Sequence, residues 1–128
     1  MPKILIADDS RFQVQALTSW LSPKGFEVIT ALDAIQAWMS ALRSSPDLIL
    51  LDINMPAGNG LEILKRLRNS PKTQRIPVIV ITGDEDPATE SQARKLGATE
   101  FLRKPVEQDQ VCAAVDRALA PEAQKAEP

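Results

Sequence analysis

Asp47-Leu48-Ile49-Leu50-Leu51-Asp52-Ile53-Asn54-Met55-Pro56 is the stretch whose reading decides the fold. Leu48 to Leu51 is an unbroken apolar run with a carboxylate at each end. A strand with one wet face alternates apolar and polar residues. This run does not alternate, so it predicts a central strand covered on both faces, as in a parallel sheet. Asp52 stands where that strand leaves the core. Met55-Pro56 with Gly58 and Gly60 then predicts a loop before the next helix, because the residue preceding proline is pushed out of the helical region. A carboxylate on a rigid strand end can serve as a nucleophile or metal ligand. It can equally be a solvated stop, so the other strand ends must decide.

Upstream, Lys3–Ala7 reads as a first strand, followed by Asp8-Asp9-Ser10, which offers carboxylates and a helix cap. Val14, Leu17 and Leu21 recur at helical spacing, and Phe12, Ala16 and Trp20 broaden the stripe expected to be buried. Pro23 and Gly25 close that helix, and Phe26–Ala31 reads as a second strand. Asp33 with Gln36 three residues on resembles a capping box. It opens a helix whose Ile35, Trp38, Met39 and Leu42 fit the i, i+3, i+4, i+7 template for a core face.

Downstream of Asp52, Leu61, Ile63, Leu64 and Leu67 mark a third helix, with Glu62, Lys65, Arg66 and Arg68 expected outward. Ile76–Ile81 is a fourth strand ending at Thr82-Gly83, and Asp86-Pro87 starts a fourth helix with proline in its first turn. That helix runs to Leu96-Gly97 with only Ala88, Ala93 and Leu96 to bury, so light packing is expected. Thr99–Leu102 is a fifth strand ending near Lys104-Pro105. Val111, Ala114, Val115 and Leu119 give a last helix, in which Cys112 reads as a small core residue. We expect one domain over residues 1–120, and a flexible tail or the start of a linker over 121–128 from its Pro/Glu/Ala composition.

Strict strand–helix alternation implies an α/β fold: a five-stranded parallel sheet with helices on both faces and right-handed crossovers. The order 2-1-3-4-5 places its switch point between the first and third strands, and ligands bind there outside the carboxyl ends. Asp8, Asp9 and Asp52 fall at that point, with Thr82 and Lys104 on neighbouring strand ends. Each has an ordinary explanation alone, but their convergence on one edge does not. Three carboxylates face a single lysine, and at about 4 Å with an effective dielectric near 20 each like-charge pair costs roughly 4 kcal/mol. Either some carboxylates hold protons or a divalent cation sits among them. All-oxygen donors open to solvent and phosphate suit Mg²⁺. Asp52 is then placed to attack a phosphoryl group and become an aspartyl phosphate.

The composition excludes several classes. The chain has 128 residues, 44% hydrophobic, with a formal charge of −2 and no basic runs, so direct nucleic-acid binding is not expected. No apolar stretch has a membrane-spanning length and no signal segment opens the chain, so membrane insertion is not expected either. One cysteine and no histidine exclude an internal disulfide, His-based triads and the usual zinc sites. A reducing, cytoplasmic setting is the matching expectation.

Asp8-Asp9, Asp52 with Met55-Pro56 and Gly60, Thr82-Gly83, Phe101 and Lys104-Pro105 together make residues 3–119 resemble the receiver domain of two-component response regulators. The resemblance implies a flavodoxin-like (βα)5 fold with Asp52 as phosphoacceptor. It implies Mg²⁺ held by Asp9, Asp52 and the backbone carbonyl of Asn54, with Asp8 acting mostly through a metal-bound water. Thr82 and Lys104 would contact the phosphoryl group, Thr82 and Phe101 would form the switch, and the Lys104–Pro105 bond would be cis. By the same resemblance, Asn54 and Asp84 would tune phosphoryl lifetime. The implied partners are a sensor histidine kinase or histidine phosphotransfer protein and a downstream protein target or missing effector domain. These would be read through the surface of the fourth helix, fifth strand and fifth helix. The only reactions implied are the domain's own phosphotransfer and dephosphorylation. A phosphohydrolase of the haloacid-dehalogenase kind is a rival, but Asn54 stands where its second aspartate belongs and no cap domain is present. A docking-only pseudo-receiver is a third reading, against which the full five-residue constellation weighs.

Overall fold

The Leu48–Leu51 run is β3 of a five-stranded sheet, and every residue in it is buried. The computed structural model describes residues 1–55 and 59–120. The loop punctuation expected at Pro56 and Gly58, and the tail expected over 121–128, lie outside those residues. The strands are β1 (Lys3–Ala7), β2 (Glu27–Ala31), β3 (Leu48–Leu51), β4 (Val78–Thr82) and β5 (Glu100–Arg103). They alternate with α1 (Arg11–Leu21), α2 (Ala34–Ser44), α3 (Gly60–Arg68), α4 (Pro87–Lys95) and α5 (Gln108–Leu119). The order is β2-β1-β3-β4-β5, all parallel, with the switch point between β1 and β3 as the alternation implied. No helix among the described residues is long and apolar enough to cross a membrane.

Period-two alternation divides the core in two. Leu5, Ala7, Ile49, Leu51, Val78, Val80 and Phe101 face the layer that contains α2, α3 and α4. Ile4, Ile6, Leu48, Leu50, Ile79, Ile81 and Leu102 face α1 and α5. Phe101 and Leu102 therefore lie on opposite sheet faces.

Three strands differ in their bounds. β2 starts at Glu27, one residue after Phe26. β4 begins at Val78, because Ile76 closes a turn by donating to the Thr73 carbonyl and Pro77 has no N–H to give the ladder. β5 extends through Arg103, whose partner in β4 is Thr82.

The face of α2 differs more. Ala34, Ala37 and Ala41 are its buried residues, whereas Ile35 is 62% and Met39 40% exposed, and Trp38 and Leu42 are half-buried. Alanines bring the helix close to a sheet surface that is itself Ala7 and Ala31, so the larger side chains fall to its flanks. Asp33 and Gln36 do cap it, through Gln36 N–H to Asp33 Oδ1 at 2.8 Å and Leu32 N–H to Gln36 Oε1 at 3.0 Å. On α1, Val14, Leu17 and Leu21 are buried, but Phe12 is 79% exposed. On α4 the buried pair is Thr89 and Ala93, and Ala88 is exposed. Arg68 is not an outward charge. Its guanidinium turns under α3 and donates to the carbonyls of Gly97, Gln74 and Ile76.

Candidate functional site

The sheet ladder brings the carboxylates together before any side chain is considered. Ala7 and Leu51 are paired in register, so Asp8 and Asp52 are the next residues beyond two adjacent strand ends. Backbone bonds continue past those ends: Asp8 N–H donates to the Ala31 carbonyl at 3.0 Å and Asp52 N–H to that of Ala7 at 2.8 Å. Two strand pairs further on, Lys104 N–H donates to the Thr82 carbonyl at 2.8 Å, which carries the β4–β5 ladder one residue beyond Arg103. The Lys104–Pro105 peptide is cis.

Asp8 and Asp52 are buried, and Asp9 is exposed. One oxygen from each lies within 4.8 Å of the others. Asp8 Oδ1 accepts from Ser10 N–H at 2.9 Å, and Ser10 Oγ caps α1 by accepting from Gln13 N–H. Asp52 Oδ1 accepts from Asn54 N–H at 2.9 Å. The Lys104 ammonium sits between the two buried carboxylates, 3.0 Å from Asp8 Oδ2 and 3.1 Å from Asp52 Oδ2. Burial pushes the Asp8 carboxyl up, and the nearby Asp52 charge adds to the push. The Ser10 amide and Lys104 only partly oppose it. Burial pulls the Lys104 ammonium down, yet its hydrogen bonds to Asp8 and Asp52 and their charge outweigh that, so its pKa is raised.

The charge imbalance expected from the sequence is therefore real: three clustered carboxylates and one ammonium. The donors are all hard oxygens, and neither nitrogen nor sulfur ligands are among them. That set fits Mg²⁺ and not a soft metal.

Thr82 is fully buried. Its Oγ accepts from Asn54 Nδ2 and from Asp84 N–H, each at 3.2 Å. The same Asn54 thus holds Asp52 through its backbone and Thr82 through its side chain. A continuous path of hydrogen bonds joins β3 to the start of the β4–α4 loop. Asp84 is committed to that loop: Oδ1 accepts from Asp86 N–H and Oδ2 from Thr89 Oγ, both at 2.9 Å. The Asp86 amide, then the Thr89 hydroxyl, hold its carboxyl below the ordinary range, with Arg103 assisting. Ile53, Asn54, Met55, Asn59, Leu61, Asp84 and Thr89 line a shallow cavity of about 360 Å³ beside the site.

Gly60 shows how closely the start of α3 approaches the end of β3. A Cβ there would lie 2.3 Å from Ile53 Cα and 2.9 Å from the Asp52 carbonyl oxygen. Only glycine allows that approach.

All five constellation residues, and Asn54, meet at this edge. Phe101 lies below it, buried, on the α4 side of the sheet. Two contributors escaped the sequence reading. Thr89 is a buried hydroxyl within a helix that looked nearly empty of core residues. Arg103 donates to the Asp84 carbonyl, pairs with Glu90 Oε1 at 3.6 Å and lies 5.1 Å from the Phe101 ring centroid. The signal available for Arg103 was its position two residues after Phe101, which puts both on one strand face.

The family model for the response regulator receiver domain matches residues 4–116. Protein RcaC of Microchaete diplosiphon is 39% identical over 104 residues, covering 81% of this chain but only 16% of that protein. Protein PilH of Pseudomonas aeruginosa is 32% identical over 120 residues, which cover 94% of this chain and 99% of PilH. Among solved structures, the chemotaxis response regulator CheY4 of Vibrio cholerae superposes with a TM-score of 0.87 at 31% identity, covering 93% of this chain and 99% of that one.

Proposed function

Because this chain belongs to the response regulator receiver family, we propose that it works by accepting a phosphoryl group on Asp52. The donor is a phosphohistidine of a sensor kinase or of a histidine phosphotransfer protein. An Asp52 carboxylate oxygen attacks phosphorus and an O–P bond forms. The P–N bond breaks, and its electron pair leaves with the imidazole. The observation that carries the reading is the state of Asp52: buried, ionisable, and held from both sides by Asn54 N–H and Lys104 Nζ beside two further carboxylates.

Asp8, Asp9, Asp52 and the Asn54 carbonyl would hold Mg²⁺, which when bound supplies positive charge beside the phosphoryl oxygens. Lys104 contributes a second cation on the same side and orients Asp52. The Thr82 hydroxyl is within one residue's reach of the incoming group through Asn54, and it can exchange its present partners for a phosphoryl oxygen. Asn54 and Asp84 flank the opening and set how readily water reaches the aspartyl phosphate. Once Thr82 is drawn toward Asp52, the β4–α4 loop follows, the space Thr82 leaves makes the inward place of Phe101 the preferred one, and that shift in population changes the α4–β5–α5 surface for a downstream protein or effector domain. Apart from its own phosphotransfer and dephosphorylation the domain turns over no substrate.

Intact mass after incubation with acetyl phosphate tests this. A single phosphoryl adduct that needs Mg²⁺ and disappears in Asp52→Asn supports the reading. An adduct that persists in Asp52→Asn, or none in the wild type, overturns it.

A further inference from the structure

Arg103 stands outside the phosphorylation chemistry, yet its side chain touches Phe101, the β4–α4 loop and α4. β5 places it on the same side of the sheet as Phe101, two residues earlier in the strand. Its guanidinium lies 5.1 Å from the Phe101 ring centroid. The same group donates to the main-chain carbonyl of Asp84 in the β4–α4 loop and pairs with Glu90 on α4 at 3.6 Å. Glu90 is held in turn by Arg94 at 3.1 Å. One side chain therefore bridges β5, the β4–α4 loop and α4 while covering an inward aromatic ring that is 9% exposed.

These contacts depend on one another. For Phe101 to swing outward, the guanidinium must leave the ring. To leave the ring it must release Asp84, whose amide reaches Thr82 Oγ. Inward Phe101, a closed β4–α4 loop and a docked α4 are thus the arrangement in which all three Arg103 partners are satisfied at once. We propose that Arg103 is a positioning residue, a latch that holds Phe101 inward and the β4–α4 loop closed, and so sets the balance between the two states of the α4–β5 surface. This rests on the receiver function above, in which that balance carries the signal.

Fluorophenylalanine labelling reports the latch directly, since the chain has only three phenylalanines, Phe12, Phe26 and Phe101. A Phe101→Leu sample assigns the Phe101 resonance. In the unphosphorylated protein, Arg103→Ala is expected to move or broaden that resonance toward an exposed environment and leave the other two in place. Apparent beryllofluoride affinity should fall roughly three- to tenfold, because only the competent fraction binds. Mg²⁺ affinity should be unchanged, since Arg103 contacts no metal ligand. Arg103→Lys keeps a charge for Glu90 but loses the flat stacking surface, and should recover part of the inward signal. Glu90→Gln, which leaves the ring contact intact, should give a smaller shift than Arg103→Ala. An unchanged Phe101 resonance in Arg103→Ala, or full recovery by Arg103→Lys, overturns the latch. Wild type that fails to bind beryllofluoride overturns the receiver reading instead, and the Phe101 signal of the free protein still decides the latch.

Discussion

Replacing Lys104 by methionine removes the single cation inside the carboxylate cluster while keeping most of the volume of its stem. In the metal-free protein Lys104 Nζ makes two contacts near 3 Å to groups that are almost fully buried. Breaking a buried ion pair from one side costs about 3–5 kcal/mol, because the remaining charge is stranded. The Lys104 side chain keeps 24% of its exposure, so water screens part of the interaction. An expected loss of about 2–4 kcal/mol follows. For a domain of this size that is a drop in Tm of roughly 8–15 °C. Urea unfolding in EDTA at pH 7 and moderate salt measures it. Mg²⁺ is expected to restore more stability to Lys104→Met than to wild type, because the metal then meets the carboxylates with no competing ammonium, and tighter binding stabilises more at a given concentration. A variant within about 0.5 kcal/mol of wild type in EDTA would refute the account of Lys104 as the resident counter-charge. So would a smaller Mg²⁺ response than in wild type.

Gly60→Ala forces a Cβ onto the backbone of Ile53 and the Asp52 carbonyl, and overpacking against main chain should cost about 2–3 kcal/mol and slow adduct formation on Asp52; urea unfolding and the acetyl phosphate mass assay read the two effects. Arg68→Met strips hydrogen bonds from the carbonyls of Gly97, Gln74 and Ile76, and a loss of about 2–3 kcal/mol is expected in the same unfolding assay. Asp84 has a folded pKa below its ordinary value of 3.8, so the stability it contributes is present above that value and disappears as pH falls through the folded pKa. Asp84→Asn should therefore show a shallower loss of Tm than wild type across the acid range below about pH 4, and parallel curves would contradict it.

The fold was legible because its strongest signals are insensitive to detail. An apolar run such as Leu48–Leu51 can only be a strand buried on both faces once helices are seen to alternate with it, and that alternation leaves few topologies. The site was legible for the same reason: the residues just past four strand ends must share one edge, whatever the exact register. The misplaced residues show what such patterns omit. The reading of α2 gave weight to large side chains, whereas contact distance between helix and sheet selected Ala34, Ala37 and Ala41 and left Ile35 outside. Phe12 sits in the first turn of α1, two residues after the Ser10 cap, and is left exposed although the stripe was expected to include it. Arg68 was read as an outward charge and Arg103 was not read at all, yet Arg68 donates to three backbone carbonyls and Arg103 to that of Asp84. No periodicity reveals which carbonyl lies within reach of a guanidinium.

That last limit bears on how the site connects to the surface. Asp52, Asn54, Thr82 and Asp84 form a path in which main-chain amides hold Asp52 and Thr82, and one side-chain bond, Asn54 Nδ2 to Thr82 Oγ, joins them. Beyond Asp84 the path is carried by side chains, first Thr89 and Arg103 and then Phe101. The backbone part positions the chemistry, and rigidity serves it. The side-chain part must rearrange, and it does so at α4, whose buried residues are only Thr89 and Ala93. With so little apolar area to lose, α4 can shift at small cost, and the polar contacts of Arg103 and Asp84 weigh more in its position than the core does. Substitutions in the α4–β5 layer should therefore change the balance between states, while those at the strand ends change whether phosphorylation happens at all.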